Sequence, residues 1–186
     1  NNDIASGGEG APFAPLFHSW LFSNKKVNRI LINIGGVSNI SLLLKNGNYK
    51  GYDIGPGNIL MDSWSIANKK GDFDLKGQWA ITGNINHRLL SEFKKDAFFK
   101  RKPPKSTGTD YFNLKWIKEK ISINNKSLAT ADVQATLTEL TVDMIIDAIK
   151  KYPKESEIAF CGGGIKNNFL MSRIKHKLNK KINLTS

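Results

Sequence analysis

Cysteine is almost absent from this chain of 186 residues: Cys161 is the only one, so no disulfide can form within the sequence. A disulfide-rich secreted scaffold is therefore excluded, and a reducing cytosol is the default expectation. Long apolar runs are missing too, since none approaches the roughly 18 residues of a membrane span, and the first residues lack a signal-peptide pattern. We expect a cytoplasmic protein with no membrane partner.

Arginine is scarce as well, with 4 residues against 24 lysines, although the net charge is +12. Such a charge is one mark of nucleic-acid-binding proteins, in which clustered cations displace counterions from phosphates. Here the lysines are scattered and accompanied by 19 asparagines, so a general bias toward Lys and Asn explains the charge better. We expect no nucleic-acid partner, and we expect the densest basic run, 94–105, to be a local anion-attracting patch.

The remaining composition and the local patterns predict a soluble α/β protein. The hydrophobic content of 40% is enough for one core, or for one lobe of something larger. An Asn-Gly hairpin signal and the Gly35-Gly36 break predict three consecutive antiparallel strands over 27–34, 39–44 and 49–54. Two further strands are predicted at 157–160 and 181–184. Helices are predicted over 11–22, 58–69, 78–81, 85–95, 114–121, 130–152 and 169–178.

The segment 51–58 combines an acid with glycines at the junction between a predicted strand and a helix. Gly55 and Gly57 lack the Cβ atoms that would hold a ligand away from the backbone, and the following helix offers unpaired N–H groups to an anion. Asp53 is the one nearby group able to act as a base. The alternative interpretation is a capping role, in which Asp53 accepts from the N–H groups of Gly55 or Gly57.

A second glycine cluster repeats this arrangement after the strand predicted at 157–160. Gly162, Gly163 and Gly164 are expected to contact a nucleotide, because three consecutive glycines cost backbone entropy that packing seldom requires. A plain helix-start turn is the alternative. Two such junctions suggest a nucleotide held between them. For Gly35 and Gly36, a phosphate contact and a β-bulge or hairpin corner are equal alternatives.

The polar loop 105–108 is a candidate ligand-binding segment. Lys105, Ser106, Thr107 and Gly108 offer hydrogen-bond donors to a ligand, although the same residues suit an ordinary surface loop. No protein metal site is expected, since the three histidines share no ligand spacing with acids or with Cys161. Cys161 itself is expected to be a small buried side chain rather than a nucleophile.

Seven short motifs stand in order along nearly the whole chain. They are DIASGGEGAP (3–12), NIGGVSNIS (33–41), GYDIGPGNILMD (51–62), PKSTG (104–108), YFN (111–113), DVQATL (132–137) and CGGG (161–164). Together they resemble the signatures of the anhydro-N-acetylmuramic acid kinase family, which belongs to the two-lobed actin/hexokinase-like ATPases. Glu9 and Ile54 depart from the residues usual in that family.

The resemblance implies an α/β fold: one ribonuclease-H-like lobe (βββαβα) of the actin/hexokinase-like ATPase fold, incomplete at both ends. Residues 1–25 would form an inter-lobe segment and helix, and residues 26–186 the C-terminal lobe of a two-lobed sugar kinase. The N-terminal lobe, with the family's first phosphate-binding loop, and the final helices find no counterpart in the sequence. On this interpretation the chain is a fragment and is inactive alone.

The resemblance also implies a function. The family consists of ATP-dependent enzymes of peptidoglycan recycling. They open the 1,6-anhydro bridge of anhydro-N-acetylmuramic acid with water and phosphorylate O6, giving N-acetylmuramic acid 6-phosphate. A homodimer of the full-length enzyme is a further expectation. The alternatives are a non-catalytic ATP-binding or regulatory domain of the same superfamily, and a basic nucleic-acid-binding module.

Site residues follow from the same resemblance. Asp53 is the expected catalytic base, taking a proton from water. ATP and Mg²⁺ are the expected cofactors, the ion being bound with the triphosphate. The sugar is expected to contact Gly8 and the loop formed by Lys105, Ser106, Thr107 and Gly108. The expected ATP contacts are Gly35, Gly36, Gly55, Gly57, Asn58, Gly162, Gly163, Gly164 and Asn167.

Overall fold

A five-stranded mixed sheet forms the centre of the fold. It is seen in a computed structural model that describes residues 27–123, 127–178 and 183–184. In chain order the strands are β1 (Arg29–Ile34), β2 (Val37–Leu43), β3 (Tyr49–Pro56), β4 (Glu157–Cys161) and β5 (Asn183–Leu184). Their order across the sheet is β3-β2-β1-β4-β5.

The first three strands are antiparallel neighbours, which confirms the prediction from the hairpin signal, whereas β1 pairs in parallel with β4 and β4 with β5. Gly35 and Gly36 form the corner between β1 and β2. The pairing of β2 with β3 shifts register between Ser38 and Asn39, beside this corner. Because β1 and β4 are parallel, their C-terminal ends, each followed by glycines, lie at the same edge of the sheet.

Six α-helices accompany the sheet in the described residues, and none of them combines the length and apolarity that a membrane span requires. The sequence does not predict the short α3, which lies inside the basic run 94–105. The predicted helix over 11–22 lies outside the described residues, as does Gly8. The helices are α1 (Ile59–Ala67), α2 (His87–Lys94), α3 (Ala97–Lys100), α4 (Leu114–Ser122), α5 (Thr130–Ile149) and α6 (Asn168–Leu178).

The long helix α5 packs against the sheet and fixes the end of β3. Its apolar face, which the spacing of Val133 and Leu137 predicts, is buried. On the same helix, Thr141 Oγ1 is 3.1 Å from each of the carbonyl oxygens of Pro56 and Gly57, which share its single hydroxyl proton. The hydrophobic core therefore sets the position of the glycine turn that follows β3.

The outer edge of β3 is covered by the chain between α3 and α4. The Asp53 N–H donates to Lys105 O at 3.0 Å, so the edge strand is paired at this point rather than open. Aromatic rings hold the covering segment: the ring centroids of Phe98 and Phe112 are 5.5 Å apart, as are those of Phe112 and Trp116. The polar loop that begins at Lys105 is thereby fixed against β3.

Asp96 anchors this aromatic cluster. Its carboxylate accepts hydrogen bonds from the Phe98 N–H at 2.9 Å, the Tyr111 hydroxyl at 2.8 Å and Trp116 Nε1 at 2.8 Å. Burial raises the pKa of Asp96, but these hydrogen bonds and the charge of Lys120 outweigh it and hold the pKa below the usual carboxyl range. Asp96 is therefore an ionised acceptor that organises the rings behind the 105–108 loop.

Candidate active site

Asp53 lies near the end of β3 with 8% of its surface exposed. Its Oδ2 accepts hydrogen bonds from Ser106 Oγ at 3.0 Å and from the Thr107 N–H at 2.9 Å. Neither Gly55 nor Gly57 donates to this carboxylate in the described part of the chain, so the interpretation of Asp53 as a cap of its own turn is wrong. The fold instead brings Asp53 together with the polar loop.

A row of polar side chains crosses the sheet at the level of Asp53. Direct pairing places Asp53 opposite Asn39, Asn39 opposite Asn33, and Asn33 opposite Cys161. Directly paired residues share one face of a sheet, so a carboxylate, two amides and a thiol lie side by side. Cys161 is half-buried, burial raises the pKa of its thiol, and Sγ donates to Asn33 Oδ1 at 3.7 Å. Sequence reasoning misses both asparagines because only the strand register aligns them with Asp53.

The glycine turn after β3 packs against the β1–β2 corner. The Gly57 N–H donates to Gly36 O at 2.8 Å, and the Ile59 N–H donates to the same oxygen at 3.1 Å. The Asn58 N–H donates to Gly35 O at 2.8 Å. The N–H groups of Gly57, Asn58 and Ile59 are therefore bound by the neighbouring corner and are not offered to an anion, while an anion contact with the next N–H groups of α1 stays a prediction.

Close packing accounts for both glycines of this turn. A Cβ on Gly57 would lie 2.2 Å from Gly35 O, a backbone atom that cannot move aside cheaply. Gly55 has a φ of +155°, and a Cβ there would lie 2.9 Å from Phe99 Cε1. The fold itself thus requires glycine at both positions, while their contact with ATP stays a prediction.

The second glycine turn lies beside the β1–β2 corner, at the ends of the paired strands β1 and β4. Gly162 has a φ of +87°, and a Cβ there would lie 2.7 Å from Ile34 O. A Cβ on Gly164 would lie 2.3 Å from Ile34 Cγ2. Gly163 differs, because the nearest atom to its Cβ would be Asn58 Nδ2 at 3.9 Å. Gly163 is therefore the position in this triplet at which a side chain would extend into open space.

A cleft of about 730 Å³ opens beside Gly163, a volume within the usual range of small-molecule sites. Neither Asp53 nor the 105–108 loop lines it. Four of the predicted ATP contacts do: Asn58, Gly163, Gly164 and Asn167. The other lining residues, which sequence reasoning does not assign to the site, are Met61, Asp62, Phe73, Asp74, Leu75, Lys76 and Lys166.

The cleft has an apolar wall and a structural cap. Phe73 and Leu75, which keep 56% and 59% of their surface exposed, form this apolar wall together with Met61. No periodic pattern marks their segment, so the sequence carries no signal that it joins the site. Asn167 has a local task, since its Oδ1 accepts from the Leu170 N–H at 3.0 Å at the start of α6.

Two carboxylates carry the negative charge of the cleft. Burial, together with the nearby charge of Asp74, raises the pKa of Asp62 to about 6. The Asp74 carboxylate accepts from the N–H groups of Trp79 and Ala80, at 2.8 Å each, and so shapes the loop that closes this side. Asp62 is thus a partly buried acid that loses its proton just below neutral pH.

Asp62→Asn is expected to stabilise the protein at neutral pH. The folded-state pKa of Asp62 is raised to about 6, so its contribution to stability falls as pH rises from the ordinary carboxyl range through that value. The melting temperature of the variant should exceed that of the wild type by about 2 to 6 °C at pH 7.5. At pH 4.5 the difference should be much smaller. Thermal melts at both pH values measure it.

The matched control for Asp62 is Glu155→Gln, an exposed carboxylate in the loop before β4. Its effect on the melting temperature should be small and similar at both pH values. An Asp62→Asn effect that is equally large at pH 4.5 and 7.5 would contradict the electrostatic explanation.

The Lys105 ammonium is engaged inside the protein. Its Nζ donates to Phe98 O at 3.2 Å and lies 4.3 Å from the centroid of the Phe98 ring. Burial, with the charge of Lys151 adding to it, lowers the pKa of Lys105 to about 8, while Asp53 acts in the opposite direction. These contacts favour an anchoring role for Lys105. Its contact with a sugar, like that of Gly108, stays a prediction.

Solved structures share this fold. The chain is similar to the activator of the 2-hydroxyisocaproyl-CoA dehydratase from Clostridium difficile, with a TM-score of 0.55, 15% identity, and coverage of 91% of this chain and 57% of that one. For component A of the (R)-2-hydroxyglutaryl-CoA dehydratase from Acidaminococcus fermentans, the TM-score is 0.50 at 17% identity, covering 92% and 59%. With the sheet order, these neighbours define the class: the chain has an actin/hexokinase-like ATPase fold.

Sequence comparison narrows this class to a family. The family model described as anhydro-N-acetylmuramic acid kinase matches residues 1–186. The relative of that name from Saccharophagus degradans is 42% identical over 184 residues, which are 99% of this chain and 50% of the relative. The relative from Aliivibrio fischeri is 44% identical over 178 residues, covering 95% and 48%. The chain belongs to the anhydro-N-acetylmuramic acid kinase family, and it spans about half the length of the curated relatives it matches.

Proposed function

We propose that the full-length protein carrying this sequence is an ATP-dependent kinase of anhydro-N-acetylmuramic acid that works in peptidoglycan recycling. The observation that carries the proposal is the placement of Asp53 on β3, with one carboxylate oxygen held by the 105–108 loop, in a chain that matches the family along its whole length. A carboxylate fixed in this way is suited to take a proton from water.

The proposed reaction couples ring opening to phosphoryl transfer. Asp53 takes a proton from a water molecule, whose oxygen forms a bond to the anomeric carbon of the sugar. The bond from that carbon to O6 breaks, and O6 attacks the γ-phosphorus of ATP, so that ADP leaves. The products are N-acetylmuramic acid 6-phosphate, ADP and a proton. ATP enters as its Mg²⁺ complex, in which the ion neutralises phosphate charge.

The cleft beside Gly163 is the proposed nucleotide site. The open backbone at Gly163 admits a close approach of the sugar-phosphate part, and Met61, Phe73 and Leu75 offer an apolar surface to a base. Among the described residues, no group of three or more His, Cys, Asp or Glu side chains is placed to hold a metal ion.

The β1–β2 corner is the proposed meeting point of the nucleotide cleft and the sugar site at Asp53. It packs on the start of α1 through Gly35 and Gly36, and a Cβ on Gly36 would lie 3.7 Å from Thr109 Cγ2, just beyond the polar loop. The corner therefore stands between the nucleotide cleft and Asp53. The γ-phosphate is proposed to lie near it, with the sugar on the Asp53 side.

The test is product analysis with the full-length protein, ATP, Mg²⁺ and anhydro-N-acetylmuramic acid in oxygen-18 water. We expect a sugar 6-phosphate that carries the label on its anomeric hydroxyl and none on its phosphate, because water attacks carbon and O6 attacks phosphorus. Label appearing only in inorganic phosphate would indicate simple ATP hydrolysis and contradict the proposal. The 186-residue chain assayed alone is expected to be inactive, because phosphoryl transfer in two-lobed ATPases depends on groups from both lobes.

A further inference from the structure

The loop 105–108 is joined to Asp53 through main chain and side chain alike. The Asp53 N–H donates to Lys105 O at 3.0 Å, which extends the pairing at the edge of β3. Ser106 Oγ and the Thr107 N–H then donate to the carboxylate of the same residue, at 3.0 and 2.9 Å. Both of these donors bind Oδ2, so the carboxylate plane is fixed by two bonds to one oxygen.

The two oxygens of Asp53 are therefore not equivalent. Oδ2 is committed to Ser106 and Thr107, whereas no hydrogen bond from the described residues reaches Oδ1. Hydrogen bonds to a carboxylate favour its charged form, and a fixed plane directs the lone pairs of the free oxygen. Oδ1 is thus the oxygen available to a water molecule.

The loop that holds the carboxylate is itself rigidly supported. Lys105 is anchored on Phe98 by its ammonium, and Phe98 packs in the aromatic cluster organised by Asp96. A base held by packed, hydrogen-bonded neighbours keeps its geometry without reorganisation during the reaction. The hydroxyl of Ser106 has a single proton, and it is already donated to Asp53.

We propose that Ser106 is a positioning residue for the base rather than a sugar-binding residue: its hydroxyl, with the Thr107 N–H, holds Asp53 Oδ2 and leaves Oδ1 to take the proton from water. The inference rests on the proposed function. It replaces the expectation that Ser106 donates to the sugar, because that donor is spent on Asp53. It predicts that Ser106 affects the chemical step and its pH dependence, not sugar affinity.

Ser106→Ala in the full-length protein is the test. We expect kcat to fall about tenfold, since the Asp53 carboxylate loses one of the two hydrogen bonds that hold its orientation toward water, with the KM for the sugar unchanged. The acidic limb of the kcat–pH profile should move up by about one pH unit, because the ionised carboxylate loses a donor. Lys105, the cation that interacts with Asp53, has a pKa lowered to about 8 and so titrates well above that limb.

Two further variants separate positioning from folding. Ser106→Thr keeps a hydroxyl and should restore most of kcat and the wild-type acidic limb. Ser122→Ala removes a serine hydroxyl that donates to Glu119 O on the surface of α4. This variant should leave kcat and the acidic limb unchanged. A simple loss of stability would lower the melting temperature but would not move the pH profile.

The outcomes distinguish this inference from the proposed function. A raised sugar KM with kcat and the acidic limb unchanged in Ser106→Ala would mean that Ser106 binds the sugar, and the inference would be wrong. Wild-type kinetics in Ser106→Ala would overturn it as well. Absence of sugar phosphorylation in the wild type, by contrast, would overturn the proposed function itself.

Discussion

Replacing Asp53 with asparagine in the full-length protein is expected to lower kcat for the anhydrosugar by about 10² to 10⁴. The side chain keeps its size, and its amide oxygen can still accept from Ser106 and the Thr107 N–H, so the loop should stay docked. What is lost is the ability to take a proton from water. Affinities for ATP and for the sugar, measured by calorimetry, should change little.

Asp147→Asn, on the exposed face of α5, is the matched control and should retain wild-type kcat. Equal melting temperatures for wild type and Asp53→Asn would show that lost activity is not lost folding. If kcat in Asp53→Asn stays within threefold of wild type, Asp53 is not the base. A wild-type protein that binds ATP without converting the sugar would instead favour a non-catalytic ATP-binding domain. A domain that only binds ATP has no need of a carboxylate oxygen kept free at the end of β3.

Most of the fold could be predicted because its signals are local. The Asn-Gly turn and the alternating strands give the antiparallel β1–β2–β3 unit, and the apolar face around Val133 and Leu137 gives α5. The short helix α3 escapes prediction because it lies in a basic run and its helical state depends on burial of Phe98 among other aromatic rings. In this segment tertiary packing outweighs the intrinsic helix propensity of the residues.

The candidate site could be predicted only in part, since its chemistry depends on contacts between distant segments. Glycines mark the turns, but the sequence cannot tell that Gly57 is required by Gly35 O rather than by a ligand. The carbonyl oxygens of Gly35 and Gly36 also accept from the N–H groups of residues 57–59, which local reasoning leaves free for phosphate. Asp53 is recognisable from its turn, whereas its partners Ser106 and Thr107 come from another part of the chain.

Gly163→Val is expected to weaken ATP binding by more than about tenfold while leaving sugar affinity nearly unchanged. The branched side chain would stand in the cleft, where the nearest atom to a Cβ is Asn58 Nδ2 at 3.9 Å, and would block the approach of a nucleotide to the backbone. The expected loss of ATP affinity comes from filling this open space and not from backbone strain, since the positive φ in this turn belongs to Gly162. Calorimetric titration of each ligand measures the two affinities.

Gly164→Ala is the matched comparison, because the adjacent glycine faces the interior. Its Cβ would lie 2.3 Å from Ile34 Cγ2 and 2.7 Å from Ile34 Cβ, in a side chain with no exposed surface, so the melting temperature should fall sharply. Gly163→Val should melt close to wild type, since its space is unoccupied. Neighbouring substitutions would then separate binding from folding. Equal losses of ATP and sugar affinity in a well-folded Gly163→Val would place the nucleotide somewhere other than this cleft.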